Sequence, residues 1–126
     1  MRFLKESIII IFILVFVFGM EYIIAKITKK SINEINYEIE NVEKSLTKTN
    51  DKEKMKVLAE KWKEKENILS FFIEHNELEK VSENIVNMKS NIDNKEYDNA
   101  KERIEEIKFR MQHIQNKQKF NLKNIF

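Results

Sequence analysis

The most conspicuous apolar feature of the chain is a long stretch close to its amino terminus. From Ser7 to Ala25 almost every side chain is apolar, and only Glu21 interrupts the run near its end. A helix over this segment would be roughly 28 Å long, close to the thickness of the hydrocarbon core of a bilayer. We therefore expect a short tail at residues 1–6 and a transmembrane anchor at residues 7–25, with these lipid-facing side chains: Ile8, Ile9, Ile10, Ile11, Phe12, Leu14, Phe16 and Phe18.

A cleaved signal peptide is the main alternative for this segment. Arg2 and Lys5 form a basic region before the apolar run, as they would in a secretory signal. Processing near Gly19 or Ala25 is conceivable, but no A-x-A cleavage pattern is present, so a retained anchor is favoured. The lysines after the anchor nearly balance the basic residues before it, and the positive-inside rule does not decide the orientation. We expect a cytoplasmic amino terminus and an extracellular bundle from the usual behaviour of short amino-terminal anchors.

The polar remainder of the chain carries apolar residues at alternating steps of three and four. This spacing places them on one stripe of a helix, and it recurs in four segments separated by short polar connections. Residues 26–118 are therefore expected to form an antiparallel, up-down bundle of three to four amphipathic helices in an all-α protein. An oligomeric coiled coil built on the first segment is the alternative. The predicted core comprises Ile35, Ile39, Val42, Leu58, Trp62, Leu69, Phe72, Leu78, Val81, Ile85, Tyr97, Ile104, Ile107 and Met111.

Three local features refine these helices. The stripe of the second segment has a polar gap near Lys65, which indicates either a bend or a lysine stem lying along the core. Asn50 or Asp51 is placed to cap the second helix. Asn76 and Glu79 have the spacing of a capping box at the start of the third.

Charge and cysteine content narrow the functional classes. Residues 1–30 carry a net charge of +3, whereas the remainder carries 18 basic against 19 acidic residues. The basic excess thus flanks the apolar run, where it favours lipid headgroups, and the bundle lacks the basic stripe of a nucleic-acid-binding protein. With no cysteine in the chain, disulfides, thiolate metal sites and cysteine nucleophiles are excluded.

The up-down topology brings several residues to the membrane-facing end of the bundle. These are the junction 71–76, His113 and the aromatic tail 119–126, which contains Phe120 and Phe126. The tail could cover the open end of the bundle as a lid or rest among lipid headgroups. His75 and His113, near several glutamates, are the only candidate metal ligands. Neither has the spacing of a di-iron or zinc-protease motif, and we expect no bound cofactor and no catalytic residues.

Several short strings resemble a known family. They are Trp62, the run from Leu69 to Leu78, Tyr97-Asp98-Asn99-Ala100, His113-Ile114 and the final Asn124-Ile125-Phe126. Together with the apolar amino terminus, they resemble the small membrane-associated proteins of low-GC Gram-positive bacteria grouped as domain of unknown function 4363. The resemblance implies a membrane-associated helical protein and transfers no functional residue.

These observations favour a non-enzymatic protein at the cell membrane. The leading hypothesis is a membrane-anchored interaction module that contacts lipid and presents its bundle to another membrane or envelope protein. A ligand- or metal-sensing bundle that uses His75 and His113 is one alternative. A homo-oligomeric coiled-coil scaffold is the other.

Overall fold

The computed structural model describes the backbone of residues 2–125 and the side chains of residues 2–118. It contains four helices: α1 (Arg2–Ser45), α2 (Asp51–Leu69), α3 (His75–Asp93) and α4 (Tyr97–Ile125). No strand occurs in the described residues. The all-α fold predicted from the stripes is therefore confirmed.

α1 is a single unbroken helix that joins the apolar stretch to the first wall of the bundle. No proline lies along it, and its only glycine, Gly19, is helical. The side chains of residues 2–17 are exposed, whereas Thr28, Ser31 and Ile32 are buried among the other helices. The helix therefore changes from exposed and apolar to packed within a few turns and without a hinge.

The four helices form a ring in which each packs against two neighbours, with α1 beside α2 and α4, and α3 beside α2 and α4. Contacts that join distant residues give the directions of the helices. Lys65 of α2 pairs with Glu34 of α1, and His113 of α4 lies 3.6 Å from Glu77 of α3. In each pair, the two residues lie at similar distances along the chain from the connection that joins their helices. This is the pattern expected of antiparallel neighbours.

The stripe residues face one continuous core along the bundle axis. The buried apolar side chains are Ile32, Ile35, Ile39, Val42, Leu46, Met55, Leu58, Trp62, Leu69, Leu78, Val81, Ile85, Met88, Ile92, Ala100, Ile104, Ile107, Met111 and Ile114. Tyr97 packs against this cluster and is partly buried.

Phe72 departs from the core position predicted for it. Its side chain is only half-buried, and the next residue, Ile73, packs against the core instead. The reason is that α2 ends at Leu69. Residues 70–73 then form turns, in which the N–H groups of Phe72 and Ile73 both donate to the Leu69 carbonyl at 2.9 Å. The helical spacing that placed Phe72 on the stripe no longer applies there.

The structure tests two of the predicted local features. α2 runs without a break past Lys65, whose side chain is buried, so the interpretation as a lysine stem along the core is confirmed. α3 begins at His75, and its N-cap residue Glu74 makes no side-chain capping bond, so the capping box proposed for Asn76 is wrong.

At the start of α2, Asn50 is the N-cap residue but makes no side-chain capping bond. The carboxylate of Asp51 instead accepts from the backbone N–H of Lys52 at 2.7 Å. A negative charge in the first turn also complements the helix dipole.

The connections at the far end of the bundle use left-handed backbone without glycine. Thr47, between α1 and α2, has a φ of 71°, and Lys95, between α3 and α4, has a φ of 59°. After α3 the N–H of Glu96 donates to the Asn91 carbonyl at 2.7 Å, the bond with which a left-handed residue closes a helix end. Side chains with a Cβ are disfavoured in this conformation, so both turns carry local strain.

The backbone of α4 continues past residue 118 to Ile125. The segment expected to be a separate tail is thus the last part of a helix. The side chains of residues 119–125, including Phe120, and all of Phe126 lie outside the described residues.

Candidate membrane-proximal surface

The amino-terminal part of α1 has the length and composition of a membrane span. In the described part of the chain, α1 is the one helix that meets both criteria, and none of its most apolar window is buried inside the structure. A signal sequence would meet the same criteria. The exposed apolar surface here is far larger than soluble proteins ordinarily leave in water.

The bundle begins where the apolar stretch ends. Ala25 and Thr28 of α1 face Gln115 and Gln118 of α4 across a groove of about 350 Å³. The hydroxyl oxygen of Thr28 is buried there and has no hydrogen-bond partner among the described residues. The carboxyl-terminal part of α4 therefore lies beside the last turn of the apolar segment.

The α2–α3 connection lies at the same end of the bundle. The ion pair between Lys65 and Glu34 sets α2 against α1 a few residues above this connection. Phe71 is 83% exposed, and its ring lies at a tilted angle to that of Phe72, with centroids 6.4 Å apart. An almost fully exposed phenylalanine thus projects from the end of the bundle that continues into the apolar helix.

A groove between α1 and α2 collects basic side chains next to this end. Its volume is about 670 Å³, and its basic residues, which we call the lysine groove, are Lys26, Lys29, Lys30 and Lys61. None of the four takes part in an ion pair within the described residues. The groove is also lined by Asn33, Glu34, Tyr37 and Glu38.

The electrostatics of the groove are positive. Lys65 hydrogen-bonds to the Glu34 carboxylate and, with Lys61 and Lys30 nearby, holds its pKa below the ordinary value. This carboxylate is therefore charged at neutral pH and is neutralised by its own partner. Glu38 is then the one acid that opposes the four lysines in the groove lining.

The two histidines make separate contacts. His113 lies 3.6 Å from Glu77 on α3 and stacks on Phe109 of its own helix. His75 lies 3.9 Å from Glu79, one turn along α3. No group of three His, Asp, Glu or Cys side chains that could hold a metal ion occurs in the described residues. Each histidine therefore has a glutamate partner of its own, with no third ligand.

Polar contacts between helices form a network that the stripes did not indicate. The indole N–H of Trp62 donates to the Ser82 hydroxyl at 2.8 Å, and that hydroxyl donates to the Glu66 carboxylate at 2.8 Å. Tyr97 donates to the buried carboxylate of Asp51 at 3.0 Å. Ser82 and Asp51 lie beside the apolar stripes. Because a buried tryptophan or tyrosine needs a hydrogen-bond partner, Trp62 and Tyr97 indicate that polar partners exist, but the spacing within one segment does not identify them.

The comparison with known families rests on this bundle. The family described as Domain of unknown function (DUF4363) matches residues 22–125. The chain is a member of DUF4363. The resemblance found in the short strings is thereby confirmed. No curated protein and no solved structure matches the chain.

The DUF4363 match covers all of the bundle and only the end of the apolar stretch, since it starts at Tyr22. The lysine groove, the α2–α3 connection and the four core stripes all lie inside it. These surface features are therefore part of the DUF4363 unit.

Proposed function

We propose that this DUF4363 protein is a single-pass membrane protein that displays its bundle outside the cell as a non-catalytic module for binding another membrane or envelope protein. The observation that carries the proposal is the continuity of α1 from Arg2 to Ser45. A lipid-length apolar helix that becomes one wall of a bundle holds that bundle at a fixed distance from the bilayer. Such an arrangement suits a protein that must meet a partner at the membrane.

The polar side chains inside the bundle support a structural role for the interior. The hydroxyl of Ser82 links Trp62 to Glu66, and Asp51 is held by Tyr97. These partly buried groups hydrogen-bond to one another across helices and so stabilise the packing of the bundle. We expect the partner to bind the outer faces.

The outer faces of α3 and α4 each expose an apolar side chain. Val86 is 66% exposed beside a shallow groove of about 430 Å³ that also contains Ser82 and Asn87. Phe109 is 60% exposed, and the guanidinium of Arg110 lies 5.8 Å from its ring centre. Exposed aromatic and arginine side chains are typical anchors of protein interfaces.

Cysteine accessibility tests the anchor and its orientation. Because the chain contains no cysteine, Lys48→Cys in the α1–α2 connection and Glu6→Cys before the apolar stretch each provide a unique thiol. We expect a membrane-impermeant maleimide to label K48C in intact cells and E6C only after permeabilisation. The reverse pattern would place the bundle in the cytoplasm. Recovery of the bundle from the medium in a shortened form would show that the segment is a cleaved signal.

Crosslinking in cells tests the binding module. A photoreactive amino acid is introduced at Val86 or Phe109, with Lys56 on the outer face of α2 as the control position. We expect an adduct with a membrane or envelope protein, identified by mass spectrometry, from at least one of the first two positions and none from the third. Adducts only between copies of this chain would support the coiled-coil scaffold instead. A complete absence of adducts would contradict the proposal.

A further inference from the structure

We infer that the membrane-facing end of the bundle is a second lipid contact, which binds anionic phospholipid through Phe71 and the lysine groove. The inference rests on the proposed membrane anchor but goes beyond it, because an anchor alone requires no contact between the bundle and lipid. The ligand is the surface of a bilayer that contains phospholipids with a net negative charge. The contact would fix the height and tilt of the bundle above the membrane.

Phe71 lies at the end of the bundle at which the apolar stretch ends. The Lys65–Glu34 ion pair sets the register of α1 and α2. Phe72 and Ile73, which follow Phe71 in the connection, line a groove of about 100 Å³ together with Gln118 of α4. Gln118 in turn faces Ala25 across the next groove. The connection that carries Phe71 therefore lies close to the level of Ala25, where the apolar stretch ends. This is the depth at which the hydrocarbon core gives way to headgroups.

Phe71 is the most exposed of three consecutive apolar residues in the α2–α3 connection. Its neighbour Ile73 packs against the core and Phe72 is half-buried, whereas Phe71 is 83% exposed. The connection thus presents one ring outward while the next two apolar side chains are drawn inward. An aromatic ring at the boundary of a bilayer removes its apolar surface from water, which is how peripheral helices and loops bind membranes.

The lysine groove gives this end of the bundle a positive charge. Lys26, Lys29 and Lys30 come from α1 and lie within about 8 Å of Ala25 along the helix, at the level of the headgroups. Lys61 of α2 lines the far end of the groove, at the level of Glu38. Glu34 is neutralised by Lys65, which leaves Glu38 as the opposing charge. Lysine side chains can lay their methylene stems on apolar surface and place the ammonium group among lipid phosphates. Clusters of basic residues beside a span favour anionic over zwitterionic lipid for this reason.

The end of α4 is consistent with this placement. Gln118 lies across a groove from Ala25, and the α4 backbone continues to Ile125. Seven further residues extend a helix by about 10 Å. The backbone of α4 therefore continues past the residue that faces the end of the apolar stretch.

The test uses the full chain in lipid nanodiscs with a single fluorescent label. Phe71→Cys carries the label at the α2–α3 connection, and Val86→Cys carries it on the side of the bundle as the control. The discs contain brominated lipids, which quench a fluorophore only on contact, and are made with either phosphatidylcholine alone or a mixture with phosphatidylglycerol. We expect several-fold stronger quenching at position 71 than at position 86, and stronger quenching in the anionic discs.

A charge variant tests the lysine groove directly. Lys29→Gln with Lys30→Gln removes the two of its charges that lie at the headgroup level and leaves Lys26 to flank the span. Lys52→Gln with Lys56→Gln removes two exposed charges from α2 at the other end of the bundle and is the matched control. We expect the first pair to reduce quenching in anionic discs to the level seen with phosphatidylcholine, and the second pair to leave it unchanged.

The outcomes separate this inference from the proposed anchor. A chain that fails to enter nanodiscs at all would overturn the anchor and the inference together. A chain that enters them but shows equal quenching at positions 71 and 86 would overturn the lipid contact alone. Equal quenching at position 71 in both lipids, or equal effects of the two lysine pairs, would overturn the role of the lysine groove.

Discussion

Lys65 of α2 occupies a position on the apolar stripe and is nevertheless buried, because its ammonium group forms an ion pair with Glu34 of α1. The methylene stem fills the space of an apolar side chain, and the charge emerges at the α1–α2 boundary, where Glu34 is about one-third exposed. Lys65 thus contributes apolar packing to the core and an ion pair to the α1–α2 boundary. It also sets the register between α1, which carries the apolar stretch, and α2, which leads to Phe71.

The Glu34–Lys65 pair predicts a specific loss of stability in acid. Lys65 holds the pKa of Glu34 below its ordinary value of 4.5. The folded state therefore gains stability from this pair above the unfolded pKa and loses it as the pH falls through the lower folded pKa. We expect Glu34→Gln to weaken the fall in melting temperature between neutral and acid pH, measured by circular dichroism of the full chain in detergent. Glu60→Gln, at an exposed position of α2, is the control and should leave that fall unchanged.

The Tyr97–Asp51 hydrogen bond leads us to expect a loss of stability in alkali, as the pH rises. The bond to Asp51, with burial and the charge of the same carboxylate, raises the pKa of Tyr97 above its ordinary value of 10.0. The contribution of Tyr97 is therefore complete below the unfolded pKa and is lost as the pH rises through the higher folded pKa. Tyr97→Phe should be less stable at neutral pH and should lose less stability in alkali than the parent. Tyr37→Phe, at an exposed position, should follow the parent, and an unchanged alkaline profile in Y97F would refute the assignment.

We expect the hydroxyl group of Ser82 to contribute measurably to the free energy of unfolding. It accepts from Trp62 and donates to Glu66, so Ser82→Ala leaves a buried indole N–H without a partner. We expect a loss of about 1–2 kcal/mol in the free energy of unfolding, with a shift in tryptophan emission. Ser90→Ala on the same helix is the control, because Ser90 is exposed and its hydroxyl accepts a long hydrogen bond, of 3.5 Å, from the side chain of Asn94. Equal effects of the two substitutions would show that the bond to Trp62 contributes nothing.

A feature of this fold could be predicted from the sequence when it depends only on residues of the same segment. Steps of three and four identify a helix from its own residues, so the four helices and nearly all of the core could be predicted. The stripe does not indicate where a helix stops, and Phe72 was misplaced because α2 ends three residues earlier, at Leu69. The partner of a polar side chain depends on another helix. The network around Ser82 and the pairing of Lys65 with Glu34 therefore could not be read from the segments that contain them.

The candidate surface around the lysine groove and Phe71 likewise combines features that could be predicted from the sequence with features that could not. The apolar stretch and the basic residues beside it are contiguous in sequence and were evident from it. Lys61 joins them only through the packing of α2 on α1, and the exposure of Phe71 depends on which of three consecutive apolar residues turns inward. These are tertiary properties, and no spacing within one segment encodes them.

Relief of backbone strain at Thr47, in the α1–α2 connection, is expected to increase the stability of the fold. Thr47 is β-branched and has a φ of 71°, a conformation that glycine adopts without the clash of a Cβ. We expect Thr47→Gly to raise the free energy of unfolding by up to about 1 kcal/mol, the relief of strain being partly offset by the greater freedom of glycine in the unfolded chain. Thr49→Gly is the control, because Thr49 lies in the same connection without a positive φ, and it should be neutral or destabilising. A loss of stability in T47G, measured by denaturation of the full chain in detergent, would show that the turn is not strained.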